Sequence, residues 1–254
     1  MFFNRLIPYF SFFLFFAGFE AMITKQQWYY YIMAFFVLWV FLVVWRLLGF
    51  NEIKKIGQWN FLVPPLFLIF FAGAVMVFLE DSLYQQVLLL VSALLASLFL
   101  ETIFVYIYEH ENYQEGALEN ISLLGNLIST FFLLATGLGL KIFIGLPVWL
   151  EFLIVLPLIA ILINEIIWVN KIVAKDGRIF VATLTLLLGE LLLAVNFLPI
   201  NFYVSSFVLL AIFYVLISLS LDYLKKQIVR LAVVKYLAIS LTTVAVALLT
   251  AQWL

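Results

Sequence analysis

Two glutamates, Glu101 and Glu190, lie inside long apolar runs, where a carboxylate is an unusual residue. A charged side chain at the centre of a bilayer costs roughly 2.5–3.5 kcal/mol on insertion scales, so such residues are functional candidates by default. Because loss of hydration favours the neutral carboxyl group, each glutamate should be protonated or paired with a cation. A neutral Glu190 that donates a hydrogen bond to Asn126, to Asn196 or to a backbone carbonyl is one interpretation. A proton or cation relay is the other.

Three further charged positions could form ion pairs. Glu165, Glu101 and Lys235 are expected at similar depths, near one end of their apolar runs. Opposite charges attract strongly where solvation is thin, so we predict that Lys235 contacts Glu101 or Glu165. The alternative is that the lysine extends its ammonium group to the lipid headgroups without a protein partner.

Metal and cofactor chemistry has little support in the sequence. The single histidine, His110, stands in an acidic stretch over residues 109–119, and the chain has no cysteine. Transition-metal sites usually combine several His or Cys ligands, so a solvated acidic loop is the simpler interpretation. No H-E-x-x-H, G-x-S-x-G, phosphate-loop or dinucleotide motif occurs. We therefore expect no metal and no cofactor, and we assign no catalytic residue.

The composition decides the class of protein. Of 254 residues, 67% are apolar and only 11% are charged, whereas a soluble domain is about half apolar and about a quarter charged. So few charges cannot cover a water-exposed surface, which excludes a soluble enzyme. A formal net charge of -1 offers no basic surface for nucleic acid. The sequence predicts a polytopic integral membrane protein.

Apolar segments of about 20 residues, the length that crosses a bilayer as a helix, occur nine times. They predict an all-α bundle forming a single integral membrane domain over residues 1–254, with spans at 6–24, 28–48, 61–79, 84–107, 118–140, 147–168, 179–199, 202–221 and 231–252. A cytoplasmic N-terminus places 11 of the 13 Lys and Arg residues inside and leaves Lys25 and Lys141 outside. This distribution obeys the positive-inside rule.

Small and polar residues at helical spacing predict which faces contact other helices, because helices in lipid associate through close packing and hydrogen bonds. Three spans carry such faces: Ser97 and Glu101 in the fourth; Ser122, Asn126 and Ser129 in the fifth; and, in the seventh, Thr183 with Glu190, beside Gly189 with Asn196. We expect these three spans at the centre of the bundle and the apolar second and eighth spans at its periphery. Glu151 is interpreted as an interfacial residue.

Three functions remain open. The absence of catalytic motifs and the short loops favour a non-catalytic membrane subunit or scaffold. The intramembrane carboxylates Glu101 and Glu190 would suit a small secondary transporter or channel. A membrane-embedded enzyme acting on a lipid would need Glu101, His110, Glu165 and Lys235 to converge. Expected partners are membrane lipids and other membrane subunits or further copies of the chain, and the expected location is a prokaryotic plasma membrane.

Overall fold

Nine long α-helices make up the described part of the chain, which in this computed structural model comprises residues 2–49, 58–172 and 174–251. Each is long and apolar enough to cross a membrane, the third only together with the 3₁₀ turn Gln58–Leu62 that leads into it, so the predicted all-α bundle is confirmed. In chain order they are α1 (Phe2–Thr24), α2 (Tyr29–Leu48), α3 (Val63–Met76), α4 (Ser82–Tyr108), α5 (Ala117–Ile144), α6 (Val148–Val169), α7 (Ala174–Val195), α8 (Phe202–Leu224) and α9 (Arg230–Thr250).

Local sequence signals fix several helix ends. The Asp81 carboxylate accepts a hydrogen bond from the Leu83 amide at 2.8 Å and caps α4. Asn201 caps α8 in the same way, accepting from the Tyr203 amide at 2.9 Å. Gly49 follows the last residue of α2 with a φ of 78°, a backbone conformation that glycine adopts without steric cost.

The chain divides into two compact units, Met1–Ser129 and Thr130–Leu254, and the boundary between them falls within α5. The single membrane domain expected over residues 1–254 stays a prediction.

In the first unit, α1 packs against α4 and α2, while α2 also contacts α3 and α4. Phe15, Phe19 and Phe36 are fully buried where α1 meets α2, and the Phe36 ring centroid lies 5.2 and 5.0 Å from those of the other two. Gly18 permits this packing, because a Cβ atom at that position would lie 2.4 Å from Cζ of Phe36.

In the second unit, α6 packs against α7, α7 against α8, and α8 against α9. Two expectations about position are wrong. Within the apolar window of each helix, 61% of α8 is buried but only 28% of α7, so α8 is the central helix and α7 is not. The physical reason is that hydropathy does not distinguish apolar side chains that pack against protein, such as Leu209 and Phe213 of α8, from those that face lipid. The second span is intermediate at 39%, and the fourth and fifth are each half buried.

Candidate functional site

A cluster of polar side chains lies at one end of the second unit. Lys141 comes from the last turn of α5 and Glu151 from the first turn of α6. A three-residue turn over 145–147, with Gly145 at φ of 72°, brings these two helix ends together. Asn196 follows directly after the end of α7. Three helix ends thus contribute one cation, one amide and one carboxyl group.

Asn196 connects the lysine to the glutamate. The Lys141 ammonium donates to Oδ1 of Asn196 and, at 3.4 Å, to the backbone carbonyl of the same residue. The amide nitrogen of Asn196 donates to Oε2 of Glu151 at 3.4 Å and to the Leu192 carbonyl at 2.9 Å. The amide therefore accepts a hydrogen bond from the cation and donates one to the carboxyl group. Hydrogen bonds in these directions stabilise a charged pair.

The Glu151 carboxyl group is almost completely removed from solvent. The residue is 1% exposed, and among the described residues its Oε1 atom has no hydrogen-bond partner. Gly137 on α5 lets α6 pack closely here, since a Cβ atom at that position would lie 2.9 Å from Cγ2 of Val155 and 3.7 Å from Oε1 of Glu151. A buried carboxyl oxygen with unused acceptor capacity can hold a proton or accept a hydrogen bond from a small ligand.

The sequence-based interpretation of Glu151 as an interfacial residue missed this cluster. The sequence analysis named Asn196 among the polar candidates, but as a partner of Glu190. A usable signal was present: Lys141 and Glu151 carry opposite charges and flank a turn too short to separate them. Asn196 lies at the same end of its own span, which makes it the nearest polar bridge.

Glu190 lies on the face of α7 that points away from the other helices of the second unit. It is exposed on α7, five residues or about 7.5 Å before the end of the helix. Asn196 uses its amide on Lys141, Glu151 and Leu192 rather than on Glu190. The predicted hydrogen bond between Glu190 and Asn196 is therefore not formed, and the Glu190 side chain faces outward instead.

Glu190 belongs to a continuous exposed stripe, which we call the α7 stripe. Its members alternate at spacings of four and three residues: Ile179, Thr183, Leu186, Glu190 and Leu193. The opposite face of α7 packs inward through Leu184, Leu188 and Leu192, each at most 3% exposed. Alternation of four and three is the spacing with which two helices pack along a common seam.

The predicted ion pair between Glu165 and Lys235 is not formed within the described part of the second unit. Glu165 is completely buried in α6, whereas Lys235 is exposed on α9. Across the described residues the two form no ion pair. In the first unit, Glu101 is half-buried and accepts a hydrogen bond from the Tyr9 hydroxyl at 2.6 Å. The acid–base group that a lipid-modifying enzyme would need is therefore not formed by Glu165 and Lys235.

The polar residues of the fourth and fifth helices make local hydrogen bonds. Ser97 is half-buried and donates to the Leu94 carbonyl at 2.8 Å. Ser122, Asn126 and Ser129 are fully buried, and the Asn126 amide donates to the Ser122 hydroxyl at 3.3 Å. This buried face on α5 is the type of polar seam expected from the spacing of its residues.

The acidic stretch around His110 follows α4. The His110 ring stands edge-on to Tyr106, with ring centroids 6.2 Å apart. Over residues 2–49, 58–172 and 174–251, no three His, Asp or Glu side chains are grouped so as to hold a metal ion.

Comparison of the chain with family models, with curated protein sequences and with solved structures finds no match. The chain is a polytopic membrane protein, as the apolar length of its nine described helices indicates.

Proposed function

We propose that this polytopic membrane protein is a non-catalytic subunit or scaffold of a membrane complex, and that the α7 stripe binds a transmembrane helix of another subunit. The observation that carries this proposal is the exposure of Glu190 within an apolar span. A scaffold needs a surface that is incomplete without its partner, and an outward-facing carboxylate is such a surface.

Lipid hydrocarbon is the solvent around the exposed face of α7. Hydrocarbon offers no hydrogen-bond partner to a carboxyl group, so exposure of Glu190 to lipid is unfavourable. A partner helix with a polar or basic side chain at the same depth would satisfy it. Interhelical hydrogen bonds of this kind contribute on average about 0.6 kcal/mol and up to about 1.7 kcal/mol in membranes.

The shape of the stripe supports the same conclusion. Thr183 and Glu190 lie seven residues apart, with the larger Leu186 between them and Leu193 beyond. Small and polar residues alternating with larger ones let a second helix approach closely, whereas contact with lipid alone selects bulky apolar residues throughout.

The proposal includes a cytoplasmic N-terminus in a prokaryotic plasma membrane. In the second unit, the Lys225 ammonium donates to the Asn170 side chain at 2.7 Å, so the basic loops after α6 and α8 lie at the same end. In the first unit, Arg46 at the end of α2 donates to Asn4 near the start of α1. These contacts support one cation-rich face in each unit, as the positive-inside rule requires.

Cross-linking in native membranes tests the proposed partner surface. Because the chain has no cysteine, a single Leu186→Cys variant can carry a photoreactive thiol probe without background labelling. Leu241→Cys on α9 is the matched control, since the two leucines are 65% and 68% exposed. We expect protein adducts from position 186 and only lipid adducts from position 241.

Substitution of Glu190 separates binding from folding. Because its side chain is exposed, Glu190→Leu should change the unfolding free energy of the isolated chain by less than about 0.5 kcal/mol. The same change should weaken the cross-link from position 186 by about 3- to 18-fold, the loss of a hydrogen bond worth about 0.6–1.7 kcal/mol, while Glu190→Gln should retain it. An adduct with twice the mass of the chain would show that the partner is a second copy of the chain and not a different subunit. Lipid adducts alone at position 186 would refute the proposal.

A second candidate function, a proton-coupled transporter, is favoured by the Glu151 carboxyl group. Its buried oxygen without a partner, beside a lysine linked through an amide, is a suitable place for a transferable proton. Proton flux into proteoliposomes under an imposed membrane potential tests this candidate. Glu151→Gln should abolish the flux of a transporter, while a scaffold should show no flux above that of protein-free vesicles.

A further inference from the structure

An open cavity lies on the surface of the first unit, where α2 passes the start of α1. Its volume is about 590 Å³, and the residues that line it are Ile7, Trp39, Leu42, Val43, Trp45 and Arg46. This volume is within the range of about 300–1,000 Å³ typical of sites for small ligands.

One end of the cavity is polar, and the wall that extends from it is apolar. Arg46 lies in the last turn of α2, and Trp39 lies seven residues earlier, which corresponds to roughly 10 Å along the helix axis. Leu42 and Val43 form the apolar surface between them. The Trp39 indole is held in place, because its N–H donates to the Ser11 hydroxyl at 2.9 Å.

The charge at the polar end belongs to Arg46. Its guanidinium is exposed and donates through Nε to the uncharged Asn4 side chain at 3.2 Å, which holds it at the end of the helix. The ion pair of the described part of this unit is a different one, between Arg5 and Glu109 at 3.7 Å. A planar guanidinium matches the geometry of a phosphate group, with which it can form two parallel hydrogen bonds.

We propose that this cavity binds an anionic phospholipid of the surrounding membrane, with the phosphate at Arg46 and one acyl chain along Leu42 and Val43. The cavity opens on the lipid-facing surface of a spanning helix, so a lipid is the molecule present there at the highest concentration. Trp45 lies beside the arginine at the end of the span, where tryptophan is favoured at the level of the headgroups. A cationic end joined to an apolar groove is complementary to an anionic amphiphile, and this lipid site is independent of the α7 stripe.

Quenching of tryptophan fluorescence by brominated lipids tests the site, because Trp39 and Trp45 line it. The purified chain is reconstituted in phosphatidylcholine vesicles that contain either brominated phosphatidylglycerol or brominated phosphatidylcholine. We expect the anionic lipid to be bound about fivefold more tightly, the effect of roughly one charge near the membrane surface. Equal quenching by the two lipids would overturn the proposal.

Variants of the arginine identify its role. Arg46→Gln should remove the preference for the anionic lipid, and Arg46→Lys should retain most of it. Lys25→Gln is the control, because Lys25 is an exposed cation beyond the opposite end of α1. A preference that survives in Arg46→Gln, or that is lost equally in Lys25→Gln, would show that the cavity is not the binding site. The circular dichroism of each variant confirms that it is folded before quenching is compared.

Discussion

Replacement of Asn196 by alanine should destabilise the second unit, because the side-chain amide is the connection between Lys141 and Glu151. Without it, the buried Glu151 carboxyl group loses its donor. Leaving a buried polar group unsatisfied costs about 1–3 kcal/mol. Lys141 is only half-buried and keeps its contact with the carbonyl of residue 196 at 3.4 Å, so its loss is smaller. We therefore expect Asn196→Ala to lower the free energy of unfolding by about 2–3 kcal/mol.

The measurement is reversible unfolding in mixed detergent micelles, followed by circular dichroism. Asn112→Ala is a matched control, since Asn112 also donates to a glutamate oxygen, at 3.2 Å, but is exposed. Its effect should stay below about 0.5 kcal/mol. Adding Glu151→Met to Asn196→Ala removes the orphaned carboxyl group, so the double variant should be more stable than additivity requires. A loss of less than about 1 kcal/mol in Asn196→Ala, or strict additivity, would refute the reasoning.

Two further outcomes concern the first unit. Gly18→Ala should destabilise it by about 1–3 kcal/mol, because the new methyl group would overlap the buried Phe36 ring. Gly125→Ala should be nearly neutral, since its closest neighbouring atom would lie 3.9 Å away, and equal effects in the two variants would contradict the packing argument. Burial raises the pKa of the Tyr113 phenol above its ordinary value, so the folded chain holds that proton more tightly than the unfolded chain. This contribution to stability is complete below about pH 10 and is lost as the pH rises through the native pKa. Unfolding measured across that range should show the decline in the wild type and a smaller decline in Tyr113→Phe.

The positions of the helices follow directly from the sequence. The fourth span was expected at 84–107 and is observed at Ser82–Tyr108; the eighth was expected at 202–221 and is observed at Phe202–Leu224. This agreement has a simple origin. The thickness of the hydrocarbon sets the length of each helix, and charged or turn-forming residues mark its ends, so the signal is local to each segment.

The faces of the helices were harder to predict. Thr183 and Glu190 were correctly placed on one face of α7, but the spacing of polar residues does not show which helix that face meets. The expectation of a central seventh span was wrong for this reason. The cluster of Lys141, Glu151 and Asn196 depends on which helix ends meet in space, and that information is distributed over three separate segments of the chain.

Because α9 is so exposed, we expect it to be the first helix of the second unit to detach. Only 6% of its apolar window is buried, and it packs against α8, where the Ser240 hydroxyl donates to the Ala211 carbonyl at 3.0 Å. An element with so little buried surface detaches locally at a small fraction of the free energy needed to unfold the rest. We therefore expect the backbone amides of α9 to exchange their hydrogens earliest in this unit, and each detachment of α9 would uncover one side of α8, the most buried helix described in this unit. A helix held in this way is the kind of element that two copies of a chain can exchange.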